Sequence, residues 1–544
     1  MPAPLFLIGF MAAGKTSVGR AIAAATGRRF VDLDDAVAAL GEPPASLAAR
    51  DLAEFRRREA AALGALIGET TGEAASASAG TVIATGGGAA AFGDNLARMR
   101  AAGFVVALGV DVAEARRRAA GDTAVRPLLA QAEQLAALRA PFYRRAHAVV
   151  DTAGRDIAQV AAHVRAVLAV WTDLPAAHRG AAILALGERS YPVTVADALD
   201  AELLRSAIGG ATRLAVITDE NVARHHLAPL SRLLPDAERA ERAERACVVT
   251  LAPGEASKSF ATYERVCAEL VERGLDRGSA VVALGGGVVG DLAGFVAATL
   301  YRGVPVVQLP TTLVAMTDAA IGGKTAIDLP AGKNLVGAFW QPRLVACATE
   351  TLATLPERER RAGFGELWKY ALLDGAELWR AVAACAPWAA APGELPPPPE
   401  LRPVIDRSIA YKAEIVGRDE RELTGSRLLL NLGHTVGHAI ETASGMLHGE
   451  AVALGLLAAC RVSAAVLGTP RELERELAAA LAASGLSTDL DRWLGEDVLA
   501  RVRVDKKRLG ANLRFVAVRE VGSCEPVEIA VTELRRILRP DLGA

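Results

Sequence analysis

From residue 1 to about 168 the chain alternates short apolar runs, PLFLIGF, TVIATGGG and GFVVALGV, with Ala/Arg-rich stretches of helical period. Strand-length apolar runs separated by helices are the pattern of a parallel sheet covered on both faces, and they predict an α/β domain over residues 1–168. The segment AVWTDLPAAHRG, at about 169–180, breaks the periodicity with Pro175 and Gly180 and reads as a linker. Strand-like runs return as AAILALG, RLAVITD, ACVVTLAP, SAVVALGGG and VPVVQLP, so residues 181–345 read as a second α/β domain. Long helical stretches dominate 346–544, interrupted at 391–403 by APGELPPPPELRP, which cannot be helix interior and is expected at the surface. TTGEAASASAG at 70–80 reads as a mobile loop.

Length changes this picture little, since 544 residues fit roughly three domains of ordinary size. Composition narrows the partners. A chain that is 51% hydrophobic with a formal net charge of -2 is neither disordered nor a basic nucleic-acid binder, so small molecules are expected instead. The 6 cysteines all follow residue 246 without a CxxC pair, which argues against a disulfide framework and a thiolate metal cage and fits a reducing cytoplasm. The apolar start LFLIGFMAAG lacks a basic leader and runs into Gly14-Lys15-Thr16. No run reaches the roughly 18 apolar residues that cross a bilayer, so no membrane partner is expected.

GFMAAGKT, from Gly9 to Thr16, matches GxxxxGK[ST] between a strand and a helix-compatible run. Glycines there let backbone N–H groups converge on phosphates, Lys15 adds positive charge, and Thr16 can hold Mg²⁺. FVDLDDAV offers Asp32 and Asp34 at a strand end, one for the Mg²⁺ shell and the other for an acceptor hydroxyl. FRRRE at 55–59, GGG at 86–88, RPLL at 126–129 and RAPFYRRA at 139–146 add arginines and a glycine turn. Arginine suits a planar carboxylate and the charge that develops in phosphoryl transfer, so an acidic, hydroxylated acceptor is implied.

On these motifs residues 1–168 resemble shikimate kinase. The resemblance implies a P-loop NTPase fold of the nucleoside monophosphate kinase type, with ATP and Mg²⁺ held at Gly9, Gly14, Lys15 and Thr16. It further implies that Asp32 binds Mg²⁺ through water and that Asp34 holds or deprotonates the acceptor hydroxyl. Arg56, Gly87 and Arg139 would bind shikimate, while Arg126 closes on ATP from a lid. The family usually has Gly-Glu shortly before the FR of this motif, where this chain has Asp51-Leu52.

LGGGVVGDLAGF at 284–295 contains GxGxxG as Gly285, Gly287 and Gly290, a turn suited to a dinucleotide pyrophosphate. The acidic ribose partner expected some 20 residues on is missing, because no Asp or Glu occurs from 292 to 317. Asp219 in VITDENV is the natural replacement, and PGEASK supplies Glu255 and Lys258. Three of the 8 histidines crowd into LNLGHTVGHAIETASGMLHGE. His434 and His438 share a helix face at i, i+4, but HTVGH lacks the general-base Glu of HExxH. A catalytic zinc takes three protein ligands, so His434, His448 and a Glu from elsewhere are candidates. Lys324, Lys333, Asn334, Lys369, Arg427 and Asn431, set in apolar or glycine-rich text, point to an anionic, phosphorylated substrate.

With LGERSYPV, YRG, LPTTL and DKK, these segments resemble 3-dehydroquinate synthase over residues 181 to about 540. The resemblance implies a Rossmann-like α/β NAD domain followed by a mainly α-helical metal-binding domain. Glu366, His434 and His448 would bind Zn²⁺ (or Co²⁺), which leaves His438 outside the metal set as a catalytic or substrate-contacting imidazole. NAD⁺ would be held by Asp219, Asn221, Glu255, Lys258, Gly286, Gly287, Asp291, Thr311, Thr312, Asp318 and Lys333. The substrate, 3-deoxy-D-arabino-heptulosonate 7-phosphate (DAHP), would meet Lys324, Asn334, Lys369, Lys412, Arg427, Asn431 and Lys506, with Arg302 reaching across a homodimer interface. The family's VDSS reads MTDAA here, which keeps Asp318 and replaces two hydroxyls by Ala319 and Ala320. Two other readings fit the bare motifs: a kinase-like module that is silent and only supports the synthase, and a small-molecule kinase fused to a metal-dependent polyol dehydrogenase.

Overall fold

The structure, a computed structural model, describes residues 3–39, 41–71, 80–120, 131–234, 246–504 and 512–540. Arg126, Lys506 and most of the loop expected at 70–80 lie outside the described residues. The chain divides into two compact units, one built on residues up to Val193 with Val416–Arg418, the other on Thr194–Ile415 and the residues from Asp419 onward. The helix Ile157–Asp173 runs into the stretch expected to be a linker, and a short turn, Ala176–His178, follows it.

In the first unit the apolar runs form a parallel five-stranded sheet. Its strands stand in the order Arg29–Asp32, Thr81–Ala84, Leu5–Gly9, Phe104–Gly109 and Ala148–Asp151. Leu5–Gly9 is buried along its whole length, as a continuous apolar run in a sheet covered on both faces must be. It pairs in register with Val82–Ala84 on one side and Phe104–Leu108 on the other. Neighbouring connections therefore leave in opposite directions at its carboxyl end, where open α/β sheets bind ligands. The helix Lys15–Thr26 packs so closely that a Cβ on Gly19 would lie 2.5 Å from the Phe30 ring.

In the second unit parallel strands stand in the order Leu344–Ala348, Val306–Pro310, Ala280–Gly285, Leu214–Asp219 and Ala246–Leu251. An antiparallel hairpin, Lys324–Leu329 with Gly332–Phe339, follows. The helices Glu357–Asp374 and His448–Val466 are buried on nearly every face, the signature of interior helices. His448–Val466 is long and apolar enough to cross a membrane, yet it lies mostly buried inside this unit. The proline-rich stretch after Ala390 has no regular structure over 391–398 and is pinned by the buried Arg360, which donates to the carbonyls of Gly393 (2.6 Å) and Ala391. A second hairpin, Asn512–Glu520 with Ser523–Ala530, adds strands to the region read as mainly helical.

Candidate active sites

The loop from Gly9 to Gly14 turns on residues with positive φ: 139° at Gly9, 59° at Ala12 and 89° at Gly14. A Cβ on Gly9 would lie 2.5 Å from the Leu108 carbonyl oxygen, so strand packing also demands glycine there. Lys15 Nζ folds back onto the carbonyls of Gly9 (3.0 Å) and Phe10 (2.9 Å), which holds its charge over the loop. Thr16 Oγ1 donates to Asp32 Oδ2 at 2.7 Å, placing a hydroxyl beside a carboxylate at the mouth of the loop. That pair is the donor set a hydrated Mg²⁺ needs beside a nucleotide phosphate, and N–H groups at the start of a helix suit the phosphate itself.

Across this mouth the glycine turn 86–88 is enclosed by the predicted acceptor-binding residues. A Cβ on Gly88 would strike the Arg56 guanidinium at 2.2 Å, and one on Gly87 would lie 3.6 Å from that of Arg139. Tyr143 O–H donates to the Gly87 carbonyl at 2.5 Å. Arg56 pairs with Glu59 at 2.5 Å; Glu59 is fully buried, and its other oxygen, with no hydrogen-bond partner, sits beneath Gly86. Desolvation by the surrounding protein, then the Asp32 charge, raise the Asp34 pKa against the opposing pull of Lys15 and Arg56. A carboxylate held more basic than usual is a better proton acceptor. The Asp51-Leu52 departure also finds its role here: Asp51 Oδ1 accepts from Glu54 N–H at 2.9 Å and so caps the helix Leu52–Thr71 that carries Arg56. Arg118 is a further residue the sequence did not single out. It pairs with Glu114 and donates to Thr152 Oγ1 (3.0 Å) and the Thr152 carbonyl (2.9 Å), bracing the wall beside the loop.

In the second unit the strand Ala280–Gly285 runs through Gly286 into the helix Gly287–Thr299, as the dinucleotide motif requires. A Cβ on Gly286 would crowd Thr312 at 3.0 Å and one on Gly287 would crowd Ala319 at 3.3 Å, so the turn is kept open by glycine. Asp219 caps the next helical turn, accepting from Asn221 N–H (2.9 Å) and Val222 N–H (3.0 Å). Lys258 is buried among Asp291 (2.8 Å), Glu255 (3.2 Å), Asp328 (3.8 Å) and Asn334 Oδ1. Burial opposes its charge, but these anions outweigh burial and hold its pKa above the usual value. Burial in turn lifts Asp291 to about 6 despite Lys258. The buried Thr311 hydroxyl has no hydrogen-bond partner. An open glycine turn, an orphaned hydroxyl and a half-exposed Lys333 fit a dinucleotide. Arg302 stands exposed on a turn where Tyr301 and Arg302 both take positive φ, 51° and 69°.

The histidines converge. The rings of His434, His438 and His448 lie 5.1 to 5.7 Å apart, and their ligand nitrogens all fall within 4.8 Å of one another. The fully buried Glu366 aims Oε1 at His448 Nε2 (3.1 Å) and His434 Nε2 (3.5 Å), while its Oε2 pairs with Lys369 at 2.5 Å. Burial and then Lys369 lower the His434 pKa to about 3, leaving a neutral imidazole able to ligate. Burial works the same way on His448, but hydrogen bonds to Glu366 and Glu441 outweigh it and raise that ring to about 10. Two carboxylates thus draw positive charge to His448, and a divalent cation supplies it as well as a proton does. Two imidazoles and a buried carboxylate fit a catalytic zinc site, and His438, the most exposed of the three histidines, brings its ring to the same cluster.

Beyond Glu366 the charges continue inward. Lys369 lies 3.6 Å from Asp318 Oδ1, which also takes Lys412 (2.7 Å) and the Tyr370 hydroxyl (3.1 Å). Lys324 and Arg427 meet at the carboxylate of Glu422, 3.6 Å from Arg427 Nε, and Asn431 is exposed at the end of the turn Ser426–Asn431. Sequence reasoning missed Glu422, Glu441 and Tyr370. For Glu441 a signal existed, because it follows His434 at i+7 and His438 at i+3, on the same helix face.

Known proteins match both units. Family models match residues 11–169 as shikimate kinase, 248–362 as 3-dehydroquinate synthase N-terminal and 363–508 as 3-dehydroquinate synthase C-terminal. A 3-dehydroquinate synthase of Cereibacter sphaeroides (strain ATCC 17025 / ATH 2.4.3) is 42% identical over 376 residues, 66% of this chain and 97% of that enzyme. The chain belongs to the 3-dehydroquinate synthase family. The family's enzyme from Lactiplantibacillus plantarum is 44% identical over 326 residues, 60% of this chain and 88% of its own. A solved 2-deoxy-scyllo-inosose synthase, complexed with carbaglucose-6-phosphate, NAD+ and Co2+, shares the fold with a TM-score of 0.57 and 23% identity, covering 66% of this chain and 99% of its own. With the shikimate kinase ahead of it, the chain is a bifunctional enzyme of the shikimate pathway.

Proposed function

We propose that the second unit converts DAHP to 3-dehydroquinate and phosphate, and that the first transfers the ATP γ-phosphate to the 3-hydroxyl of shikimate. The observation that carries the synthase reading is the Glu366 carboxylate set between the Nε2 atoms of His434 and His448, with Lys369 on its other oxygen. Glu366, His434 and His448 hold Zn²⁺ or Co²⁺, and the Gly286–Gly287 turn with Asp219, Asn221, Glu255, Lys258, Asp291, Thr311, Thr312, Asp318 and Lys333 holds NAD⁺. When bound, the metal polarises a ring hydroxyl and NAD⁺ takes up and returns one hydride, so the reaction has no net redox change. Lys324, Lys369, Lys412 and Arg427, with Asn334, Asn431 and Lys506, neutralise and orient the substrate's carboxylate and phosphate. His438 moves the proton that leaves the carbon next to the oxidised centre, which lets phosphate depart.

In the kinase half Lys15 and Arg126 stabilise the transferring phosphoryl group, Thr16 and Asp32 hold Mg²⁺, and Asp34 accepts the hydroxyl proton. Arg56, Gly87 and Arg139 seat the shikimate carboxylate and hydroxyls. Functional domains at 1–168, 181–345 and 346–544, a homodimer completed by Arg302 and a cytoplasmic location belong to the same reading. Phosphate release from DAHP without net NADH tests the synthase; accumulation of NADH would favour a polyol dehydrogenase. ATP-dependent phosphorylation of shikimate, abolished by Lys15→Met, tests the kinase.

A further inference from the structure

Both imidazoles of the metal set have a partner on the nitrogen that faces away from Glu366. For His434 it is the Leu432 carbonyl, 3.0 Å from Nδ1, a backbone group fixed by the helix start. For His448 it is Glu441, with Oε2 at 3.0 Å from Nδ1. An imidazole that ligates through Nε2 must carry its proton on Nδ1, and an acceptor there selects that tautomer and aims the ring.

Glu441 has a second attachment. Its Oε1 lies 2.7 Å from Lys333 Nζ, on the strand Gly332–Phe339. The next residue, Asn334, holds positive φ (56°) and bonds the buried Lys258, so this part of the hairpin is tied to the dinucleotide turn's own ion pairs. Of the two metal imidazoles, His448 alone is therefore oriented by a side chain that another element holds in place.

We propose that Glu441 is a positioning residue: it fixes the His448 tautomer and, through Lys333, makes the metal site's affinity depend on the hairpin. The proposal rests on the reading that Glu366, His434 and His448 hold a divalent metal.

The test titrates Zn²⁺ into metal-free full-length protein against a chromophoric chelator, and records the visible spectrum of the Co²⁺ form. Glu441→Leu, which removes the acceptor, is expected to weaken Zn²⁺ binding about 10- to 100-fold and shift the Co²⁺ bands. Glu441→Gln, which keeps a weaker acceptor, should fall between that variant and wild type, and it decides the matter if the leucine variant does not fold. Zn²⁺ affinity within about twofold of wild type with an unchanged Co²⁺ spectrum in both variants would overturn the role of Glu441. Lys333→Met separates positioning from charge. Removing a nearby cation should tighten binding of a dication through the field alone, whereas loss of positioning should weaken it. Weaker binding supports the hairpin link; equal or tighter binding overturns it. Zn²⁺ binding as tight in His434→Ala as in wild type would sink the metal reading itself, and the proposal with it.

Discussion

Gly365 and Gly449 touch backbone to backbone. A Cβ on Gly365 would lie 2.0 Å from the Gly449 carbonyl oxygen, and one on Gly449 would lie 1.7 Å from that of Ala362. Each glycine adjoins a member of the metal set, Glu366 on one helix and His448 on the other. Side chains on either glycine would push the helices apart and open the 3.1 Å approach between Glu366 and His448.

Gly449→Ala should therefore cost more than its volume alone implies. Overpacking a close-packed interior destabilises by about 1–3 kcal/mol, and backbone atoms give way less readily than side chains. The expected outcome is a lower denaturant midpoint for the synthase unit and less than one equivalent of bound zinc in purified protein. Full zinc occupancy at wild-type stability would mean that the helices slide without cost and that the glycine contact is incidental.

Asp51→Ala tests whether the departure at 51–52 is built into the kinase. Loss of an N-cap typically costs about 1 kcal/mol, here at the start of the helix that carries Arg56 and Glu59. A higher KM for shikimate with little change in KM for ATP is expected, because the loop Gly9–Gly14 is positioned by a different strand and helix. Equal rises in both KM values would mean that the cap does not act on the shikimate side alone, whereas a fall in kcat with both KM values unchanged would point to general unfolding, which a thermal melt would reveal.

What the sequence revealed followed the range of each contact. The phosphate loop and the pair Asp32/Asp34 were readable because strand, turn and helix are consecutive, and their geometry follows from local backbone rules. Gly286–Gly287 was readable for the same reason. The parallel strand orders and the Glu59 carboxylate beneath Gly86 depend on packing between segments far apart in sequence, which periodicity does not encode. Glu366 entered only through family resemblance, since no spacing rule links it to histidines on other helices. The hairpin Asn512–Glu520/Ser523–Ala530 escaped because helical text surrounds it and its strands are half polar.

His438 separates two donor sets that geometry alone brings within reach of one ion. If it moves a proton, His438→Ala should retain one equivalent of zinc and lose about 10²- to 10⁴-fold in turnover. His448→Ala should lose the zinc as well. Elemental analysis after dialysis distinguishes the cases, and zinc lost from the His438 variant would make that ring a ligand instead.

Lys412 should set an alkaline limb on the synthase. Burial, aided by Arg427 and Lys369, outweighs the attraction of Asp318 and lowers its pKa from 10.5 to about 8. The folded state thus binds this proton less tightly than the unfolded chain, so the cost of burying the charge is present below about 8 and is relieved as pH rises from there toward 10.5. Binding of an anionic substrate runs the other way, because it needs the ammonium form. In the free enzyme kcat/KM should fall above about pH 8, while stability in the same window rises. Lys412→Arg, whose guanidinium keeps its proton throughout this range, should lower activity through its different shape yet abolish the limb. A limb that persists unmoved in the arginine variant would assign the titration to another group.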